Sequence, residues 1–317
     1  MARSNNISLS LVIFLCLCFR PLAFSQEPTA EKEAPIVGQI FASPVPANNY
    51  YFVKSTLMVF GNKWGAQPKT QEELEDVIWE QLVLSYEAFR RNSAVTKQER
   101  DAEITRILEA EKAAFDWKKD KDAYAKWVKE KTGEAAELFE NQINHLLQLE
   151  KLRDEVMNSF TPAVSEEESH DAFLDEQNSI ELELAQFDTK EGALEFHNKV
   201  LKEPKFWDEQ KTKTPDNFKR PGFVTLIFLI DIWKIPRDDL YKMLKMGIGN
   251  IYQAAPIYKG YAVFKVLAKR LADESAYTKL KYSYHDKVAA MKKYEGLNEW
   301  IKKLKQDANI KIYRKGG

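Results

Sequence analysis

The sequence predicts a mainly helical fold with a smaller α+β portion set within it, and three observations carry that prediction. Three capping-box patterns, Thr70-x-x-Glu73, Thr96-x-x-Glu99 and Ser165-x-x-Glu168, each stand at the head of a helical pattern. From Ser179 to Phe187 the pattern changes to strict alternation, with Ile180, Leu182 and Leu184 on one side and Glu181 and Glu183 on the other. Further on, Ile251-Tyr252 and Tyr261–Leu267 flank Pro256 and Gly260, the punctuation of two short strands around a turn.

In chain order, the first 25 residues read as an export signal. Arg3 supplies the positive end, Ile7–Phe19 the apolar run, and Ala23-Phe24-Ser25 the small residues before cleavage at Gln26. The apolar run is short for a membrane span, and retention as an anchor is the alternative reading. Both cysteines, Cys16 and Cys18, fall inside this segment, so the mature chain carries no thiol, and thiol catalysis and Cys-based metal sites are excluded. Gln26–Ala34 reads as a polar leader. Pro35–Phe41 and Tyr50–Phe60 then read as β-like segments around the turn-rich Ser43–Asn49.

A helical block runs from Thr70 to Phe160. The first capping box opens a helix with the stripe Leu74, Val77, Ile78, Leu82, Tyr86 and Phe89. The second opens Thr96–Phe115, Ala123–Lys131 ends at Gly133, and Glu134–Ser159 lines up Leu138, Leu146, Leu149, Leu152 and Val156 before Thr161-Pro162 stops it. After the alternating strand come a helix over Lys190–Leu201, a polar Pro-broken stretch over Glu203–Arg220, and Phe223–Trp233, which reads equally as a buried strand or as strand plus helix. Leu240, Met243 and Leu244 lie on a helix stopped by Gly247 and Gly249. Ala276–Met291 and Gly296–Gln306 read as two helices, and Asn309–Tyr313 as a closing alternating strand.

At 317 residues there is room for two domains, and 44% hydrophobic with 30% charged residues suits a well-packed soluble protein. A net charge of −1 leaves no basic surplus to neutralise phosphates, which argues against nucleic-acid binding. There is no P-loop, no HExxH and no Cys/His metal spacing, and Gly247-x-Gly249 lacks the third glycine and helix of a nucleotide fingerprint. No cofactor is expected.

Two groups of motifs carry a resemblance. Leu244-Lys245-Met246-Gly247, Pro256-Ile257, Gly260-Tyr261, Phe264-Lys265-Val266 and Arg270 resemble the C-terminal half of a parvulin-type peptidyl-prolyl isomerase domain. Val95-Thr96 with Glu99, Leu146–Val156 and Val164–Glu168 resemble, in that order, the N-terminal domain of SurA/PrsA-type periplasmic chaperone-foldases. The resemblance implies a helical chaperone domain over 26–178, a parvulin-like domain with a four-stranded antiparallel sheet over 179–271, and C-terminal helices and strand over 272–317 that dock back on the first domain. It implies an exported, ATP-independent chaperone of the periplasm or cell envelope, with unfolded envelope proteins as partners. The alternatives are an active prolyl isomerase or a structural or adaptor subunit of an envelope assembly.

The resemblance also sets the site expectations. Parvulin chemistry uses two facing histidines, and the one expected after Gly-Tyr is Ala262. The chain's four histidines, His145, His170, His197 and His285, all fall off the first strand, where the other is expected. The domain is therefore expected to lack catalysis while offering a peptide groove lined by Phe223, Met243, Met246 and Tyr261. Of the seven tryptophans, Trp64 and Trp117 stand beside loops and are the candidates to line a client-binding surface.

Overall fold

The computed structural model describes residues 35–61 and 67–313. The export signal with both cysteines, the polar leader and Trp64 lie outside the described residues. The described chain opens with a hairpin, β1 (Ile36–Ile40) and β2 (Ser43–Pro46), followed by helices α1 (Ala47–Phe60), α2 (Gln71–Arg90), α3 (Lys97–Ala110), α4 (Lys121–Thr132), α5 (Ala136–Ser159) and α6 (Glu166–Gln177). All three capping boxes form, with Thr70, Thr96 and Ser165 each accepting from the amide three residues on.

Tyr50–Phe60 is the first correction: it belongs to helix α1, not to a strand. Its aromatic and β-branched residues mimic strand alternation. Yet Val53, Thr56 and Leu57 share one helical face and are buried there, so tertiary packing outweighs β-propensity. The Thr56 hydroxyl donates to the Phe52 carbonyl at 2.8 Å, settling its polar group within the helix.

The second sheet is built from β3 (Ser179–Phe187), β4 (Phe218–Thr225), β5 (Ile251–Pro256) and β6 (Tyr261–Arg270), antiparallel throughout in the order β4-β3-β6-β5. Between β3 and β4 lie α7 (Lys190–Lys202) and α8 (Phe206–Lys213), so the stretch expected to be merely polar and broken contains a helix around buried Trp207. After β4 the chain forms α9 (Leu226–Asp231) and α10 (Arg237–Lys245), which resolves the ambiguous apolar run as strand plus helix. Helices α7 and α8 cover one face of the sheet through Phe196, Val200 and Trp207 against Ala185 and Val263. Helices α9 and α10 cover the other through Leu226, Leu229, Leu240 and Met243 against Ile180, Leu182, Leu184 and Phe264.

The chain then runs into α11 (Glu274–Asp307), one continuous helix where two were expected. Gly296 is not a breaker there: a Cβ at this position would sit 3.2 Å from the Phe160 ring, so the glycine lets the end of α5 pack closely. Leu297 and Ile301 on α11 are buried with Leu84 and Ala88 of α2 and Leu149, Leu152 and Val156 of α5. Finally β7 (Lys311–Ile312) pairs with β1, Gly38 opposite Ile312 and Gln39 opposite Lys311, in the order β2-β1-β7. The helical unit is thus closed by the two ends of the described chain.

A polar cluster joins α6 to α10. Arg237 reaches Asp171 at 2.8 Å and Asp175 at 2.6 Å, and the Tyr241 hydroxyl donates to Asp175 at 3.1 Å. Asp175 is buried, so its bidentate partner is needed to offset the cost of desolvating it.

The junction of β1 and β7 is tight enough to test. A Cβ added at Gly38 would lie 2.4 Å from the Trp79 ring and 2.5 Å from the Lys311 carbonyl oxygen. Gly38→Ala should therefore lower unfolding stability by about 1–3 kcal/mol, the cost of overpacking, read as a reduced urea midpoint at unchanged slope. An unchanged midpoint would mean that β7 does not seat on β1 as described.

Candidate functional site

The helical unit carries two apolar clefts. The first, of about 380 Å³, lies between the end of α1 and helices α3, α4 and α5. Its floor is aromatic: Phe60 stacks on Phe139 at 5.3 Å, and Trp127 meets Phe139 edge-on at 6.3 Å. Ile107, Ile143 and Leu147 extend it. Charges stand among the lining residues but as pairs, Arg106 with Glu103 at 2.6 Å and Lys131 with Glu111 at 2.9 Å. Each side chain is neutralised by its neighbour, so the cleft offers apolar area without a net field.

The second cleft, of about 330 Å³, lies between the β1–β2 hairpin, α1 and α2. Ile40, Val45, Val53 and Leu82 form its apolar base, and Tyr86 and Phe89 stand on it with Phe89 80% exposed. These two rings close the stripe that the sequence assigns to core. Helix α2 buries Ile78 and Leu82 against the hairpin and α1, and Tyr86 one turn on stacks on Phe41 at the hairpin tip, ring centres 5.0 Å apart.

His145 of α5 forms part of this second wall. It is buried, and it meets Phe52 edge-on at 5.4 Å. Its Nε2 has no hydrogen-bond partner, a burial that costs about 1–3 kcal/mol for an unsatisfied group. Burial also depresses its pKa to about 4, because the low-dielectric surroundings disfavour the imidazolium. The sequence alone reads His145 as an ordinary helix-face residue; only the packing of α1 over α5 shows otherwise.

The sheet carries a third cleft, of about 580 Å³, beside Gln186, Asn217, Trp233, Ile257 and Tyr258. None of the four residues expected to line a peptide groove is among those lining it. Met243 is fully buried on the inner side of α10 and is core. Met246 is half-buried against the same core. Tyr261, next to Ala262 on β6, falls on the opposite face of the sheet with Phe187 and Phe196, as strand alternation requires. Phe223 is 46% exposed, under the Arg270 guanidinium at 5.7 Å from its ring centre. The four do not converge on one groove.

Ala262 is completely buried in the same core as Leu184 and Phe264. The two carboxylates on β3 point the other way. Glu183 accepts from the Trp207 indole at 2.8 Å and from Lys211; burial pushes its pKa up, but those hydrogen bonds outweigh it and the carboxyl stays below its usual range. Glu181 pairs with Arg220 at 2.8 Å. The four histidines sit on α5, α6, α7 and α11 rather than on the sheet.

Trp117 requires a correction as well. It is buried, packed on Tyr124 at 5.3 Å, and its indole donates to the Thr105 hydroxyl at 3.1 Å. It is core beneath α3 and α4, not a surface contact. The nearby tryptophan that does reach a cleft is Trp127, on the stripe Tyr124, Trp127, Val128 of α4. Among the described residues no cluster of His, Cys, Asp and Glu is arranged to hold a metal, and no helix is long and apolar enough to cross a membrane.

No protein-family model and no curated protein matches this sequence. Among solved structures, the chain is similar to a SurA-like chaperone of Campylobacter jejuni at 14% identity, with 88% of this chain and 99% of that chain covered and a TM-score of 0.38. It is similar to the peptidylprolyl isomerase PrsA of Bacillus anthracis at 17% identity, over 75% of this chain and 100% of that chain, with a TM-score of 0.43. The Bacillus cereus PrsA follows at 14% identity, 90% and 96% coverage, and a TM-score of 0.40.

His145 makes the stability of the helical unit pH-dependent. In the unfolded chain it takes up a proton near its ordinary value of 6.5, and in the folded chain only near 4. Between those values the unfolded state binds more protons, so stability present above pH 6.5 is lost as pH falls toward 4. The depression corresponds to roughly 3 kcal/mol. Urea unfolding of the protein and of His145→Phe at pH 7 and pH 4.5 should show the variant losing less stability on acidification; equal losses would contradict a buried neutral imidazole.

Proposed function

We propose that this chain is an exported, ATP-independent chaperone that holds unfolded cell-envelope proteins on its helical unit, and that its parvulin-like domain binds without catalysing. The observation that carries the reading is the pair of apolar clefts on the helical unit, neither with a net charge, beside a sheet core that buries Ala262 where the resemblance expects a histidine. Apolar clefts lined by large rings offer much contact area at low entropy cost, which suits weak, promiscuous capture. Release then follows by mass action as the client folds or is handed on.

Supporting the reading, the motif order along the chain resembles SurA/PrsA-type chaperone-foldases. In this reading residues 1–25 are removed on export to the periplasm or cell envelope, 26–178 form the chaperone domain, 179–271 the parvulin-like insert, and 272–317 complete the first. The inactive reading of the insert rests on residue types. Twisting a prolyl amide over a barrier of about 18–20 kcal/mol needs polar groups beneath the bound proline. Ala262 has no polar side-chain atom, nor do Leu182 and Leu184 on β3, and the polar neighbour across the sheet from Ala262 is Gln186.

Two measurements test this. The full chain, without ATP, should suppress aggregation of several unrelated denatured proteins, and Trp127→Ser should weaken that protection on the order of fivefold or more through loss of the first cleft's aromatic floor; protection of a single partner alone would favour an adaptor role. Cis–trans relaxation of a short Xaa-Pro peptide should stay at the uncatalysed tens of seconds in its presence. An accelerated rate would make the chain a working isomerase.

A further inference from the structure

The second cleft differs from the first in chemistry. No charged residue lines it among the described residues; its polar groups are Ser43, Asn49, Ser85, the Tyr86 hydroxyl and the imidazole of His145. A charged ligand would surrender its hydration there with nothing in return. At about 330 Å³ the space lies at the small end of ligand-sized clefts, suited to one ring rather than to a length of backbone. Phe52, Tyr86 and Phe89 supply ring surface. His145 supplies the one buried polar atom that lacks a partner, Nε2.

We infer that this cleft takes a phenol, the side chain of a tyrosine in a bound unfolded segment, with its hydroxyl meeting Nε2 of His145. The assignment rests on the reading of the helical unit as a surface for unfolded chain, and it names the residue its inner cleft takes. The imidazole exists in two neutral tautomers, in which Nε2 is either donor or acceptor. A phenol hydroxyl both donates and accepts, so it pairs with either; an indole only donates, and a phenyl ring does neither. Nε2 is itself shielded from solvent, with the Phe52 ring packed edge-on against the imidazole, so this pairing requires that ring to move aside.

The test uses the full chain with ¹⁵N-labelled histidine, titrated with p-cresol and with toluene. In the wild type, p-cresol should move the His145 Nε2 resonance and bind about fivefold more tightly than toluene, the difference of one net hydrogen bond. An unfolded peptide carrying one tyrosine should out-compete its phenylalanine twin by a similar factor. In His145→Phe the preference should vanish. Should that variant fold poorly, Phe89→Ser, at an exposed ring, should weaken p-cresol binding without loss of fold. Equal affinities in the wild type, an unmoved Nε2, no preference between the peptides, or unaltered p-cresol binding by Phe89→Ser each overturn the assignment. Failure to protect clients with Nε2 still responding to p-cresol sinks the chaperone reading and leaves the phenol site standing. Protection of clients with Nε2 silent does the reverse.

Discussion

Leu297 and Ile301, within one helical turn of α11, are buried against Leu84, Leu149 and Leu152, and much else in the molecule follows from that contact. Helices α2 and α5 present an apolar seam that lies uncovered until the last helix arrives. Once α11 is seated, Ala308 is buried with Ile40, Val53 and Leu82, and the chain turns back to pair β7 with β1. Residues more than 200 positions apart thereby share one core. The sheet and its helices lie between these contacts in sequence, so they are carried as an insert whose start and end both emerge beside α6. Asn178 marks that neck: its side chain accepts from Ala272 N at 2.8 Å, and its carbonyl accepts from Leu226 N at 3.1 Å. Arg237 then joins insert and helical unit through Asp171 and Asp175.

This arrangement explains where the clefts lie. Helices α1, α3 and α4 pack on α5 along short faces, and the far end of α5 toward α11 is filled. The half nearer α1 is not filled to the surface, so Phe60, Trp127 and Phe139 meet around a hollow. On the other side Tyr86 stacks on Phe41 of the hairpin, and Phe89 stands largely exposed beside the second cleft. The sheet of the insert is filled on both faces, by Trp207 and Phe196 on one and Met243 and Leu229 on the other. Its third cleft sits at the edge, beside Trp233 and Tyr258.

Much of the fold was legible wherever a local rule decides the outcome. The capping boxes at Thr70, Thr96 and Ser165 placed three helix starts because the cap is a contact within four residues. The alternation of Ser179–Phe187 identified β3, whereas the return of Asn309–Tyr313 to the first domain was expected from the family resemblance, and the structure pairs it with β1. Tyr50–Phe60 misled because its residue types favour strands, whereas a buried face of Val53, Thr56 and Leu57 decides the matter. Gly296 misled for the opposite reason: a glycine read as opening a second helix lies within α11, close to the Phe160 ring. The site was less legible. Trp117 stands beside a loop and Met243 on the inner face of α10, and what buries them is packing between elements, on α3 and α4 for Trp117 and on the sheet for Met243. That Ala262 carries no polar side-chain atom was visible directly, since it is a matter of residue type. His145 was not, because its environment is made by α1, nearly a hundred residues earlier.

The central claim is that unfolded chain is held on the helical unit and not on the four-stranded sheet. Hydrogen–deuterium exchange of the full protein, with and without a saturating denatured client, addresses that claim most directly. The account predicts client-dependent protection at the ends of α1 and α2 and along α3, α4 and the first half of α5, with β3 and β6 around Leu184 and Ala262 unchanged. Protection concentrated on β3, β6 and the Trp233–Tyr258 edge, with the helical unit unaltered, would contradict it.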